Sequence, residues 1–308
     1  MDDPKSVGRP ASDYVALAAE EIDHAVLVTD PAGTVLYANR AFSTMFGYRP
    51  GDMEGRVATD LLPSEGFDPS TMERVREDLA AGHTFNEEIP LTTRTGETLW
   101  MSTLIKPLFS AEGELAHYLL VFSDINDSKQ IQRLQRDILE AIAHDRPIAE
   151  VMDLICHRVE QIAPDVVCSI LSVDEENRLH PLASPSLPDY YGKAIDGLLM
   201  GPKAGSCGTA AFLREPVIVE DIENDPLWED YKGLPLPLGL LACWSSPITM
   251  RDGRVGGTFA FYYRQKRGPS IWHEHIVRAC VNLCVVALER DESNARIGRL
   301  AYYDSLTG

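Results

Sequence analysis

Short runs of β-favouring residues joined by glycine turns fill two separate blocks of this chain, with a helical stretch between them. That pattern predicts two sheet-containing units, each with its own helices. A length of 308 residues agrees, since it fits about two domains of roughly 150 residues each. The first block follows a short amphipathic helix expected over Ala11–Glu20. Two β-rich runs, Ala25–Thr29 and Thr34–Ala38, flank Asp30-Pro-Ala-Gly33, the signature of a hairpin. Phe42, Met45 and Phe46 then fall at helical spacing, and Gly47 stops the helix. Short helices are expected as far as Gly82. Beyond it, turns at Arg94-Thr-Gly96 and Ala111-Glu-Gly113 separate β-type runs, giving five strands with helices between the second and third.

The helical stretch after Asp127 carries one apolar stripe, Ile131, Leu134, Ile138, Leu139 and Ile142, on an otherwise polar helix. A stripe of this kind needs a partner surface, either its own domain or the same helix of a second chain. His144-Asp-Arg-Pro147 breaks the helix, and a second amphipathic helix spans Ile148–Ile162. The runs CSILSVD, PVIVEDI, LLACWSSPITM and GGTFAFYY follow, and a long helix runs from Ser270 into the 290s. The fold class predicted is α+β, with antiparallel sheets flanked by helices. Gly253-Arg-Val-Gly256-Gly257 reads as a β-turn and not as a dinucleotide fingerprint, because no helix follows it.

Charge and cysteine content narrow the function classes. A net charge of -19 excludes a general phosphate-backbone binder, which needs clustered Lys and Arg, so nucleic acid is not an expected partner. Uninterrupted apolar runs such as Leu283–Leu288 are far shorter than the ~20 residues that cross a bilayer, and the N-terminus lacks the pattern of a secretory signal. No membrane partner and a cytoplasmic location are expected. Six cysteines without a Cys-x-x-Cys pair read as reduced core residues. Cys280 and Cys284 stand one helical turn apart, but no second pair completes a zinc site.

The residues YANRAFSTMFGY (37–48), RTGETLW (94–100) and FSDIND (122–127), in the order β-β-α-α-α-β-β-β, resemble a PAS domain. GSCGTAAFLREPVIVEDI (205–222) and CWSSPI (243–248) resemble the GAF domains of cyclic-di-GMP enzymes. RLAYYDSLTG (299–308) resembles the motif that opens GGDEF domains, with Asp304, Leu306, Thr307 and Gly308 at its positions. These resemblances imply a tail over 1–11, a PAS domain over 12–127, a linker helix over 128–145, a GAF domain over 146–290, and over 291–308 an exit helix with the first GGDEF residues. They imply a sensory module that controls a diguanylate cyclase through dimer rearrangement. The nucleotide-binding loop of a GGDEF domain lies further on, so this stretch alone is not expected to cyclise GTP. A non-catalytic scaffold attached to a degenerate GGDEF and an EAL phosphodiesterase domain is the alternative. A histidine-kinase sensor is disfavoured, because no His-Glu phosphoacceptor helix follows the second block.

PAS resemblance leaves the ligand open among FAD, haem, a metabolite and none. In haem-binding relatives the axial His falls where this chain has Glu77, and His83 would serve only with a shifted register. Photoreceptor-type flavin PAS domains carry an adduct-forming Cys where this chain has Ala58, and flavin-ring Asn residues where it has Leu91 and Met101. LYANRAF (36–42) resembles redox-sensing PAS domains that hold FAD without a covalent bond. That resemblance implies a cofactor site of Asn39, Phe85, Trp100 and Met101; Asn39 also suits a helix cap, and the two aromatics also suit a core. In the GAF block the cyclic-nucleotide motif Asn-Lys-x-Phe-x-x-x-Asp-Glu is absent. Cys207 and Thr209, with Cys243 and Trp244 opposite, could face a pocket there, although coupling and dimerisation is the preferred role. The partners implied are a second copy of the chain, through the linker helices, and a small-molecule or flavin ligand.

Overall fold

The computed structural model describes residues 18–62 and 69–307. Backbone contacts divide the chain after Lys129 into two units. The expected tail at 1–11 and most of the helix at 11–20 lie outside the described residues; 18–20 are helical.

The first unit is a five-stranded antiparallel sheet in the order β2-β1-β5-β4-β3. Its strands are β1 (Ala25–Thr29), β2 (Val35–Ala38), β3 (Phe85–Thr92), β4 (Thr98–Phe109) and β5 (Leu115–Asp124). Helices α1 (Arg40–Phe46), α2 (Ala58–Leu61) and α3 (Pro69–Ala80) lie between β2 and β3 in the chain, as the turn pattern predicts. The first hairpin turns where expected. Asp30 Oδ1 accepts from the backbone N–H groups of Ala32 and Thr34, and Gly33 takes φ +85°, a left-handed conformation that glycine adopts without a Cβ penalty. Leu27, Phe42, Phe46, Leu61, Phe85, Met101 and Phe122 form the buried core of this unit.

The second unit holds a six-stranded antiparallel sheet, order β8-β7-β6-β11-β10-β9. Four strands match the β-rich runs: β6 (Val166–Val173), β9 (Val217–Val219), β10 (Ala242–Thr249) and β11 (Val255–Tyr263). Two more, β7 (Arg178–Ala183) and β8 (Leu198–Leu199), extend the sheet. β8 is two residues long and β7 contains Pro181, so neither shows a clear periodic signal. Gly253 lies at φ +84° in the β10–β11 hairpin, as the β-turn reading requires.

Both faces of this sheet are covered. One carries the packed helices α4 (Asn126–Ala143), α5 (Ile148–Ile162) and α8 (Ile271–Thr307), with Ala242, Trp244, Phe259 and Phe261 beneath them. The other carries α6 (Asp189–Ile195) and α7 (Gly205–Leu213) over Cys243, Ala260 and Tyr262. Cover on both sides leaves nearly every residue of β10 and β11 buried. The stripe on α4 divides: Leu134, Ile138 and Ile142 are buried in the helical layer of the second unit, whereas Leu139 is exposed.

Among the described residues one segment, Ile271–Ile297, is long and apolar enough to cross a membrane by length and composition. Its apolar residues Ile276, Cys280, Leu283 and Cys284 are buried in the core of the second unit, which accounts for its hydropathy. The helix continues through Asp304 to Thr307, and Gly308 lies outside the described residues.

Candidate functional sites

In the first unit, β4 decides which predicted residues share a face. Alternate side chains of a strand point to opposite sides of its sheet. Met101 and Thr103 are buried on the inner face, opposite Ile89 and Glu87 in the β3 register, and Met101 joins Phe85 in the core. Trp100 is on the outer face. Its ring carries the Lys129 ammonium 4.9 Å from its centroid, and Lys129 also pairs with Glu88 at 2.5 Å. The structure therefore brings Phe85 and Met101 together and separates Trp100 from both.

Asn39 is fully buried, and its side chain serves the backbone. Oδ1 accepts from Val26 N at 2.9 Å and from Phe42 N at 3.0 Å, capping α1. Nδ2 donates to the carbonyls of Ala19 and His24, both at 2.9 Å. Two donors and two acceptor sites are an amide's full capacity, so none remains for a ligand.

Thr103 is the residue that sequence reasoning missed. It is 1% exposed at the middle of the inner face, and its Oγ1 has no hydrogen-bond partner. Leaving a hydroxyl buried and unpaired costs about 1–3 kcal/mol, which makes it a natural point for a ligand to engage. A flavin ring fits this face in chemical character: Phe85 and Met101 offer apolar surface and Thr103 one hydrogen bond. Haem held through histidine does not fit, because His24, His83 and His117, all the histidines of this unit, are exposed.

In the second unit, a cavity of about 30 Å³ lies between the sheet and α6–α7, lined among others by Tyr191, Ser206, Cys207, Trp228 and Tyr262. Trp228 Nε1 donates to Ser206 Oγ at 3.0 Å, and the Tyr191 and Tyr262 rings meet edge to face at 5.9 Å. Cys207 and Cys243 both belong to this side. Trp244, the next residue on β10, packs in the opposite layer, and Thr209 is occupied by accepting from Ala204 N at 3.3 Å. Of the four GAF positions singled out in the sequence, the two cysteines are thus the ones brought together.

All six cysteines are free and buried. Cys156, Cys168, Cys280 and Cys284 share the helical layer, where burial pushes every thiol up, that of Cys284 to about 12. No metal-binding group of three or more His, Cys, Asp or Glu occurs among the described residues.

Known proteins resemble each unit and the two in series. Residues 23–127 match the PAS domain family and residues 145–289 the GAF domain family. A methyl sulfide methyltransferase-associated sensor of Methanosarcina acetivorans is 31% identical over 268 residues, covering 84% of this chain and 27% of that protein. The oxygen sensor protein DosP of Escherichia coli is 24% identical over 292 residues, 95% of this chain and 30% of its own length. A blue-light-activated histidine kinase of Brucella canis is 28% identical over 127 residues, 40% of this chain and 25% of the kinase. The chain thus spans less than a third of the length of these relatives. With both sheets and both family matches in agreement, residues 23–127 form a PAS domain and residues 145–289 a GAF domain that follows it.

Proposed function

We propose that this chain is the sensory module of a cyclic-di-GMP signalling protein, in which a redox, oxygen or small-ligand signal at the inner PAS face controls a GGDEF domain reached through α8. The observation that carries the signal half is the buried, unpaired Thr103 hydroxyl among apolar residues, a site that a flat ring with one polar edge would complete. FAD is the ligand favoured by the resemblance of LYANRAF (36–42) to redox-sensing PAS domains. Phe85 and Met101 would form the wall against its ring, while Asn39 would hold the strand and helix that frame it. Support for the output half comes from the Asp304-Ser-Leu-Thr-Gly308 motif at the end of the helix that leaves the GAF core. In this reading two chains associate, and the signal shifts the balance between two dimer arrangements. The scaffold alternative, with a degenerate GGDEF domain, has no separate observation in its favour.

An absorption spectrum of the purified 308-residue protein before and after dithionite tests the signal half. Bands at about 370 and 450 nm that bleach on reduction are expected for the flavin. Thr103→Val removes the hydroxyl at nearly constant shape and should weaken flavin retention by about tenfold, the worth of one hydrogen bond. A Soret band, or no band beyond the aromatic region, would exclude FAD as the resident ligand.

A further inference from the structure

The cavity of the GAF unit is lined by Cys207, which with Cys243 lies in surroundings unlike those of the other four cysteines. Cys207 is the third residue of α7, in the first turn, where unpaired backbone N–H groups and the helix dipole favour an anion. Cys243 lies on β10 in the same buried cluster, directly opposite Tyr262 in the β10–β11 register, and Tyr262 OH stands 4.0 Å from the Cys207 sulfur. The hydroxyls of Ser245 and Thr258 are buried without a hydrogen-bond partner and, by strand alternation, lie on the face of β10 and β11 that carries Cys243 and Tyr262. Two thiols and three hydroxyls are thus gathered on one side of the sheet. The Cys243 thiol, and then the neighbouring hydroxyls, hold the Cys207 thiol below its ordinary value despite complete burial, while burial drives Cys243 well above it. The four cysteines of the helical layer have no such donors and are all raised.

We infer that Cys207 is a site of oxidation by hydrogen peroxide and that Cys243 resolves the product into a Cys207–Cys243 disulfide. The cavity selects the oxidant. At about 30 Å³ it has room for roughly two water-sized molecules, hence for hydrogen peroxide, and excludes an organic hydroperoxide or a glutathione-type disulfide. In the first step the Cys207 thiolate attacks one peroxide oxygen; the S–O bond forms as the O–O bond breaks. The departing hydroxide takes up the proton released by Cys207 and leaves as water, and the sulfur is now a sulfenic acid. In the second step the Cys243 sulfur attacks the sulfenic sulfur, the S–O bond breaks, and the released hydroxide leaves as water with the Cys243 proton. Two thiols lose two electrons in total, and one peroxide becomes two waters. The resulting crosslink would tie α7 to β10 across the cavity. This site is independent of any ligand at the PAS face.

The test compares all six cysteines within one protein. The 308-residue chain is exposed to hydrogen peroxide at neutral pH, quenched with an alkylating agent under denaturing conditions, digested and read by mass spectrometry. The expected result is a crosslinked peptide pair containing Cys207 and Cys243, forming roughly tenfold or more faster than Cys156, Cys168, Cys280 or Cys284 is lost. In Cys243→Ser, dimedone should trap a sulfenic acid at Cys207. Oxidation of Cys207 no faster than that of the other four would overturn the proposal. So would oxidation of Cys207 to the sulfinic acid without the crosslink in the unaltered chain, since Cys243 would then not be the resolving thiol.

Discussion

Asn39→Ala should unfold the PAS domain selectively while leaving the GAF domain intact. The substitution removes a side chain whose four hydrogen bonds all go to the backbone, and it leaves Val26 N–H without a side-chain acceptor and α1 without its cap. Each buried group left unpaired costs about 1–3 kcal/mol and the lost cap about 1 kcal/mol, so the expected total is about 3–5 kcal/mol. That is a large share of the ~5–15 kcal/mol that holds an ordinary domain together. Hydrogen exchange followed by peptide mass spectrometry checks it: protection should fall across β1, β2 and β5 and stay unchanged in β10 and β11. Asn39→Ser, which keeps an acceptor for the cap but not the two donors, should fall between. Unchanged exchange in β1 would contradict the structural role assigned to Asn39.

Gly257→Ala should have a comparable effect on the GAF domain for a different reason. A Cβ at Gly257 would run into the carbonyl oxygen of Leu171 on the neighbouring strand. β11 and β6 are paired there, Gly257 opposite Ser172 and Thr258 opposite Leu171, so relief requires the central strands to part. Overpacking against backbone costs about 3 kcal/mol or more, which lowers the melting temperature of a unit this size by roughly 6–12 °C. Gly256→Ala is the control. Its Cβ would meet the Met250 thioether at 2.7 Å, the end of a flexible side chain that can swing aside, so a loss of about 1 kcal/mol is expected. Equal melting shifts for the two variants would show that the backbone clash is not what sets the cost.

Much of the fold was legible because strand alternation and glycine turns are local signals. The five PAS strands and their hairpins follow from the runs around Gly33, Gly96 and Gly113, all three at positive φ. β7 and β8 were not legible, since a proline in one and the brevity of the other remove the period that reveals a strand. The candidate PAS site was half legible. Asn39, Phe85 and Met101 are as buried as a site residue should be, but Trp100 and Met101 are consecutive in one strand and cannot face the same side. That conflict was present in the sequence. In the GAF block, Cys207 and Cys243 were legible as facing one side, whereas Thr103 was not readable, because an unpaired hydroxyl depends on what the fold brings opposite.

The central claim is that the state of the PAS domain sets the output of the protein that contains it. The most direct measurement is cyclic-di-GMP synthesis and hydrolysis by the full-length protein, with the PAS ligand oxidised, reduced and removed. The account predicts turnover that differs between these states and loses that difference when Asn39→Ala unfolds the PAS domain. Identical turnover in all three states, or no turnover in any, would contradict it.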